Sequence, residues 1–520
     1  MQGSVGTGHS LLVRTSSASA LARMGEAIIA AEPHVVQGAE GAKRAEPGAP
    51  TFGTKLAYGL GSIAFGVKDT GFNFFLLIFY SQVIGLDARL VGLALTIALI
   101  IDAVADPVVG YWSDNFRSRW GRRHVFMYAS AIPVALSYGL LWSPPKGWDN
   151  SALFAYLLVL AVATRVCITF FEVPSAAQAP ELSRDYDQRS TLVSYRSFFG
   201  WAGGNATTVV MFFFLFPAFA TAAIPQGQFN RDAYVVYGIG AAGLMFASIL
   251  VSAIGTQSYA SVLEKPPVRR FTLAVILREI VQTLSNRSFF ALFLATIFGF
   301  IAAGLASALS VYFSTYFWGF TAQQIGAITL AVFLSALIGA AAAPLATRMM
   351  GKKRGAMLVG AIGLVSAPLA VLLHLVGVLS TGRDPGTFWA VFLLGQIDVA
   401  LTVCFQALTV SMIADLVEQS ELKTGRRSEG VFFAANTFIQ KMVSGVGVMA
   451  AALVLALAGF PANATPSEVT EDVLQRLGWW YIPAMTLLRL AMLAALALYS
   501  LNRATHADNL RKLAAGTRAL

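Results

Sequence analysis

The chain has 520 residues, 56% of them hydrophobic and only 12% charged. Soluble chains carry about 25% charged residues, so this composition cannot clothe a water-soluble surface, and most of the exterior must face lipid. The net charge of +10 would ordinarily raise nucleic acid as a partner, but the basic residues cluster in loops between apolar stretches and none is expected.

Residues 1–52 hold no long apolar run and read as a disordered cytoplasmic extension; the apolar stretch at 27–31 is too short for the core of a signal peptide. Each crossing of a bilayer needs about 20 mostly apolar residues. Six stretches qualify within 53–255, at 55–84, 90–112, 125–142, 152–177, 192–218 and 233–254. A long basic loop at 256–288 follows. Six more stretches lie within 289–500, at 289–318, 325–346, 356–378, 388–412, 431–458 and 479–498, before a cytoplasmic tail at 501–520. The expected fold is an all-α membrane protein of twelve transmembrane helices in two six-helix bundles. Cys167 and Cys404 fall inside apolar stretches and the five histidines are scattered, so neither a disulfide framework nor a metal site is read from them.

Alternate loops separate by charge. One set holds Arg119, Arg122, Arg123, Arg189, Lys352 and Lys353; the other is nearly free of cations, with none at 217–228 or 319–324. Positive loops stay in the cytoplasm, which predicts both termini inside a bacterial inner (plasma) membrane. The chain also looks duplicated. Pro107 leads to Gly121-Arg-Arg as Pro344 leads to Gly351-Lys-Lys-Arg, and Ala179-Pro-Glu-Leu recurs as Ala414-Asp-Leu at nearly the same spacing. Such repeats build pseudo-symmetric bundles that rock about a site at mid-membrane.

Ionisable residues inside a membrane are costly, so each one is a functional candidate. Asp102 and Asp106 stand four apart, on one helical face. Two such carboxylates repel, which suits either a proton carrier or a hard-cation site with oxygen ligands; a structural ion pair with Lys441 is the alternative. Asp69, Glu172 and Arg196 suit the hydroxyls of a sugar, since ionised groups make the strong hydrogen bonds; a salt-bridge network holding helices together is the alternative. Lys68 should point about 100° away from Asp69, and a structural role is equally open to it. Arg165 either faces the cavity beside Arg196, favouring an acidic solute, or neutralises Glu172 or Asp69. Asp398 and Arg489 are isolated, and structural pairing is expected of them. No enzyme motif stands in a suitable context, and no cofactor is expected.

The stretches Lys55-Leu-Ala-Tyr-Gly through Lys68-Asp69, Asp102-Ala-Val-Ala-Asp106-Pro through Gly121-Arg122, and Ile413-Ala-Asp through Gln440-Lys441 resemble the glycoside–pentoside–hexuronide:cation symporter family. The resemblance implies a major facilitator fold and symport of a small polar solute (sugar, glycoside or uronate) with H+ or Na+. It implies solute binding by Asp69, Glu172 and Arg196, to which the residues themselves add Lys68 and Arg165 as candidates. It implies a cation site at Asp102, Asp106 and Thr169, with Thr437 and Lys441 near it, and no metal beyond a possible Na+ at the two aspartates. It also implies a cytoplasmic gate motif at Gly110, Asp114, Arg117, Arg119, Gly121 and Arg122. There are departures: Ala105 stands where sodium users often place Asn, Ala176 and Gln406 stand where galactoside carriers place Trp, and Arg165 adds a charge. A monomer in the lipid bilayer is expected. Transport of an amphipathic lipid or glycolipid, or a non-transporting membrane sensor, are the competing functions.

Overall fold

Where lipid replaces water, every backbone N–H and C=O must find its partner within its own segment, so apolar runs of this length become helices. The structure, a computed structural model, describes residues 50–116, 118–183, 185–259, 287–380, 384–424 and 429–499. The extension at 1–52, the loop at 256–288 and the tail at 501–520 lie almost wholly outside these residues. Among the described residues twelve long helices follow one another, as predicted. They are α1 (Phe52–Val83), α2 (Ala88–Asn115), α3 (His124–Leu141), α4 (Asn150–Ala176), α5 (Tyr186–Val210, continuing irregularly to Ala218) and α6 (Arg231–Thr256). The rest are α7 (Arg287–Phe317), α8 (Ala322–Met350), α9 (Lys352–Leu375), α10 (Pro385–Thr424), α11 (Glu429–Ala458) and α12 (Glu471–Ala497). Eleven are long and apolar enough to cross a membrane; in α11 the apolar stretch among the described residues is Gly445–Ala458.

Side-chain oxygens start several of them. Asp87, Asp149, Asp185 and Asn230 accept backbone N–H bonds at the starts of α2, α4, α5 and α6, and Thr321 with Gln324 forms a capping box on α8. The apolar windows misjudge some ends. α12 starts at Glu471 rather than near 479, because Glu471 and Asp472 occupy its first turn, where the helix dipole favours acids but hydropathy does not see a membrane. α10 likewise continues to Thr424, well past 412.

Within the first six helices α4 packs on α2 and α3, α6 on α3, and α1 on α5 and α6. Within the second six, α7 packs on α11 and α12, α10 on α8 and α9, and α9 on α12. The two sets meet through α2 with α11, α5 with α8 and α1 with α7. A twofold exchange of the halves converts the first of these contacts into the second, which is what a duplicated chain requires. The same helix pair in each half touches through glycine. A Cβ on Gly66 of α1 would lie 1.8 Å from the Gly200 carbonyl oxygen of α5, and one on Gly447 of α11 would lie 2.7 Å from Gly304 Cα of α7. Small residues let membrane helices approach this closely.

At one end the halves are latched together. The Asn463 N–H donates to the Ser81 carbonyl at 3.0 Å. Gln82 donates to the Pro461 carbonyl at 3.2 Å and accepts from the Ala464 N–H at 3.2 Å and from the Tyr316 hydroxyl at 3.3 Å. Gln228 donates to Thr315 at 2.9 Å. All of these residues belong to the cation-poor loops or to the helix ends beside them.

Candidate functional site

Arg165, Thr169 and Glu172 are spaced four and three apart, so they form one stripe along α4. This stripe meets Asp102 and Asp106 on α2 and Lys68 and Phe72 on α1. Arg165 Nη1 lies 3.2 Å from Asp102 Oδ2. The Thr169 hydroxyl lies 2.9 Å from Asp102 Oδ1, 3.1 Å from Asp106 Oδ1 and 3.0 Å from the Arg165 carbonyl. It has one proton for these three oxygens. Asp102 is 1% exposed, Arg165 6% and Thr169 is fully buried. The guanidinium carbon of Arg165 sits 4.5 Å from the centre of the Phe72 ring, a geometry that attracts a cation to the ring face.

The second cluster is next to it. Lys68 is 2% exposed, and its ammonium lies 2.9 Å from Asp69 Oδ1 and 3.6 Å from Glu172 Oε2. Asp69 itself remains about half exposed, with 53% of its side chain open. Arg196, one turn before Gly200 on α5, donates to Ser175 Oγ at 2.8 Å and to the Glu172 carbonyl at 3.1 Å, and its guanidinium lies 4.7 Å from the Phe65 ring centre. The close glycine contact of α1 with α5 lies one turn from Arg196, whose guanidinium meets Phe65 of α1 and the backbone of Glu172, the residue whose carboxylate faces Lys68.

Two sequence expectations are corrected here. Arg165 neutralises neither Glu172 nor Asp69; its partner is Asp102, because it lies one turn from Thr169 on the side of α4 that faces α2. Lys68 does not stay away from Asp69: its four-carbon stem carries the ammonium back to the neighbouring carboxylate and across to Glu172. Asp398 and Arg489, which the sequence left without partners, pair with each other at 2.9 Å, with Ser366 donating to Asp398 at 3.4 Å. Arg489 also borders a cavity of about 210 Å³ in the second half, lined by Thr296, Thr402, Phe405, Gln406 and Thr409. The side chains of Thr437 and Lys441 lie outside the described residues, as does Arg117.

At the end opposite the latch, charges pair within each half. Gly121 and Gly351 both have left-handed backbones, φ 92° and 80°. The residue after each carries the ion pair: Arg122 bonds Glu181, and Lys352 Nζ lies 2.6 Å from Asp415 Oδ1. Arg123 joins the first pair, 2.6 Å from Glu181 and 2.6 Å from Asp114. Of the expected gate motif, Asp114, Gly121 and Arg122 thus meet around Glu181. Gly110 lies within α2, where its carbonyl accepts from the Ser113 hydroxyl at 3.1 Å, and the Arg119 guanidinium lies 6.0 Å from the Trp120 ring. Sequence reasoning missed Arg123 and Glu181 as motif members, although both fall in the stretches whose duplication it noted.

Comparison with known proteins places this architecture. Residues 57–503 match the family described as MFS/sugar transport protein. An uncharacterised symporter of Synechocystis is 26% identical, the match covering 89% of this chain and 97% of that one. A glucuronide carrier protein homolog of Escherichia coli is 25% identical over 79% of this chain and 84% of its own. The fold is that of a solved bacterial homologue of the iron transporter ferroportin in an inward-facing state, with a TM-score of 0.59 at 12% identity, covering 85% of this chain and 98% of the other. The family and these relatives are described as transporters, not enzymes. The chain is therefore a multi-pass membrane transporter with the major facilitator fold, and it belongs to the MFS/sugar transport protein family.

Proposed function

We propose that the protein is a secondary active symporter that carries a sugar, glycoside or uronate with a cation across the bacterial inner membrane by alternating access, working as a monomer with both termini in the cytoplasm. The observation that carries this reading is the pair of contiguous charge clusters inside the first half. Asp69, Lys68, Glu172 and Arg196 form a polar group with an exposed carboxylate and a fork of donors, the chemistry that binds hydroxyls or a carboxylate. Asp102 and Asp106 meet the same α4 stripe through Thr169, so a change in the charge there reaches the solute group through one rigid helix. Ionisable groups so placed mark solute and ion pathways rather than idle surface. The relative described as a glucuronide carrier homolog supports a sugar-like solute that can bear a carboxylate.

The test is uptake into vesicles. A panel of labelled sugars, glycosides, uronates and lysolipids is offered with and without inward cation gradients. Accumulation of a sugar-class solute against its gradient supports the reading; uptake confined to lysolipids, or none with any solute, removes it.

A further inference from the structure

The carboxylate of Asp102 is held between a cation and a hydroxyl, Arg165 Nη1 at 3.2 Å on one oxygen and Thr169 Oγ1 at 2.9 Å on the other. Two carboxylates one helical turn apart with a threonine hydroxyl between them make the oxygen set of a hard-cation site. In this chain a cation that is part of the protein already sits against that set. A guanidinium does not lose its proton in proteins, so the charge is permanent. Arg165 is also fixed in place: it is 6% exposed, and its guanidinium lies over the face of the buried Phe72. A metal ion entering the site would stand within a few ångströms of that guanidinium. Two unit charges about 4 Å apart at an effective dielectric near 20 repel by an amount that lowers affinity roughly a thousandfold. The neighbouring position on α2 acts in the same direction, since Ala105 offers no side-chain oxygen to complete a metal's shell.

We propose that Arg165 is a built-in counter-cation that occupies the carboxylate site between α2 and α4 and excludes sodium and other metal ions from it. The inference takes its setting from the symporter reading and narrows the coupling ion, but it is tested without any solute, so the two can fail separately. If no solute is carried and the ion results below still hold, only the symporter reading falls.

The experiment uses the purified full-length chain in detergent. Equilibrium binding of radioactive sodium and the unfolding temperature in sodium against choline, at equal ionic strength, are measured for wild type, Arg165→Gln, Arg165→Met and Arg165→Lys. Wild type and Arg165→Lys are expected to show no saturable sodium binding and no sodium-specific shift. Arg165→Gln, and Arg165→Met with its apolar stem still over Phe72, are expected to gain about one saturable site per chain and a sodium-specific rise of about 2 °C or more. Adding Asp102→Asn to either should remove both gains. Saturable sodium binding by wild type overturns the proposal, whatever the variants do. A folded Arg165→Gln or Arg165→Met protein that binds no sodium overturns it equally.

Discussion

The ammonium of Lys68 lies 2.9 Å from the carboxylate of Asp69, its neighbour in the chain, and the same nitrogen faces Glu172 of α4 at 3.6 Å. One buried cation thus separates two acids that would otherwise face each other. Removing one partner of a buried charge group costs about 3–5 kcal/mol. Asp69 is open to water, so screening reduces its share, and the low end applies. Lys68→Met is expected to destabilise the purified protein by about 3 kcal/mol, and Lys68→Met with Glu172→Gln to recover more than half of that in a double-mutant cycle. Thermal unfolding reads both. A single variant as stable as wild type would show that the cluster is not held by Lys68.

The α2 carboxylates should matter for accumulation more than for exchange. Asp106→Asn is expected to abolish concentrative uptake while exchange of solute across the membrane survives, because the proposed solute group centres on Asp69, Glu172 and Arg196. Asp102→Asn should do the same with an added loss of stability, since it strips Arg165 of its buried partner. Gradient-driven accumulation at the wild-type level in either variant would contradict this.

The latched end gives a mechanical test. Asn463 and Ser81 touch through their backbones across the two halves. In the Ser81→Cys/Asn463→Cys protein a disulfide is expected to form under mild oxidation and to stop transport by holding that end shut; reductant should restore it. The parent cysteines, Cys167 and Cys404, are replaced beforehand. Transport that continues with the cross-link complete would mean that this end does not open in the cycle.

Orientation follows from the loops. Reporter fusions at Gln226 and Gly319, in cation-free loops, are expected to behave as periplasmic, and a fusion at Gly351, beside Lys352 and Lys353, as cytoplasmic. The opposite result at any one of the three would reverse the assignment of inside and outside.

Much of this molecule was legible in the sequence, for physical reasons. Crossing helices are written in long apolar runs, and all twelve stretches hold helices. Asp102, Asp106 and Thr169 were read together, and they converge. The duplication was visible as repeated turns, and the structure adds matching ion pairs after Gly121 and Gly351. What the sequence did not disclose is who pairs with whom. A helical stripe says which face a residue occupies, not which neighbour that face meets, so Arg165 was matched to the wrong acids. Lys68 was misread because spacing describes where a side chain leaves the helix, not where a flexible four-carbon stem ends. Asp398 and Arg489 sit 91 residues apart, and nothing local links them. Helix ends drifted where polar first or last turns extend past the apolar window, as at Glu471.

The two ends of the protein are held by different forces. Among the described residues, the bonds that join the halves at the latched end come from amides, hydroxyls and backbone groups, through Gln82, Tyr316, Asn463 and Gln228. The opposite end is dressed in ions, with Arg122, Arg123, Asp114 and Glu181 in one half and Lys352 and Asp415 in the other. Mobile salt weakens charge pairs in proportion to their exposure, with a screening length of about 8 Å at physiological strength, and leaves neutral hydrogen bonds almost untouched; Asp114 is the open member of the charged group, while Arg123 and Asp415 are buried. Ionic strength therefore acts unevenly on the two ends, reaching the charged one through its more open members such as Asp114 and leaving the latched one as it is.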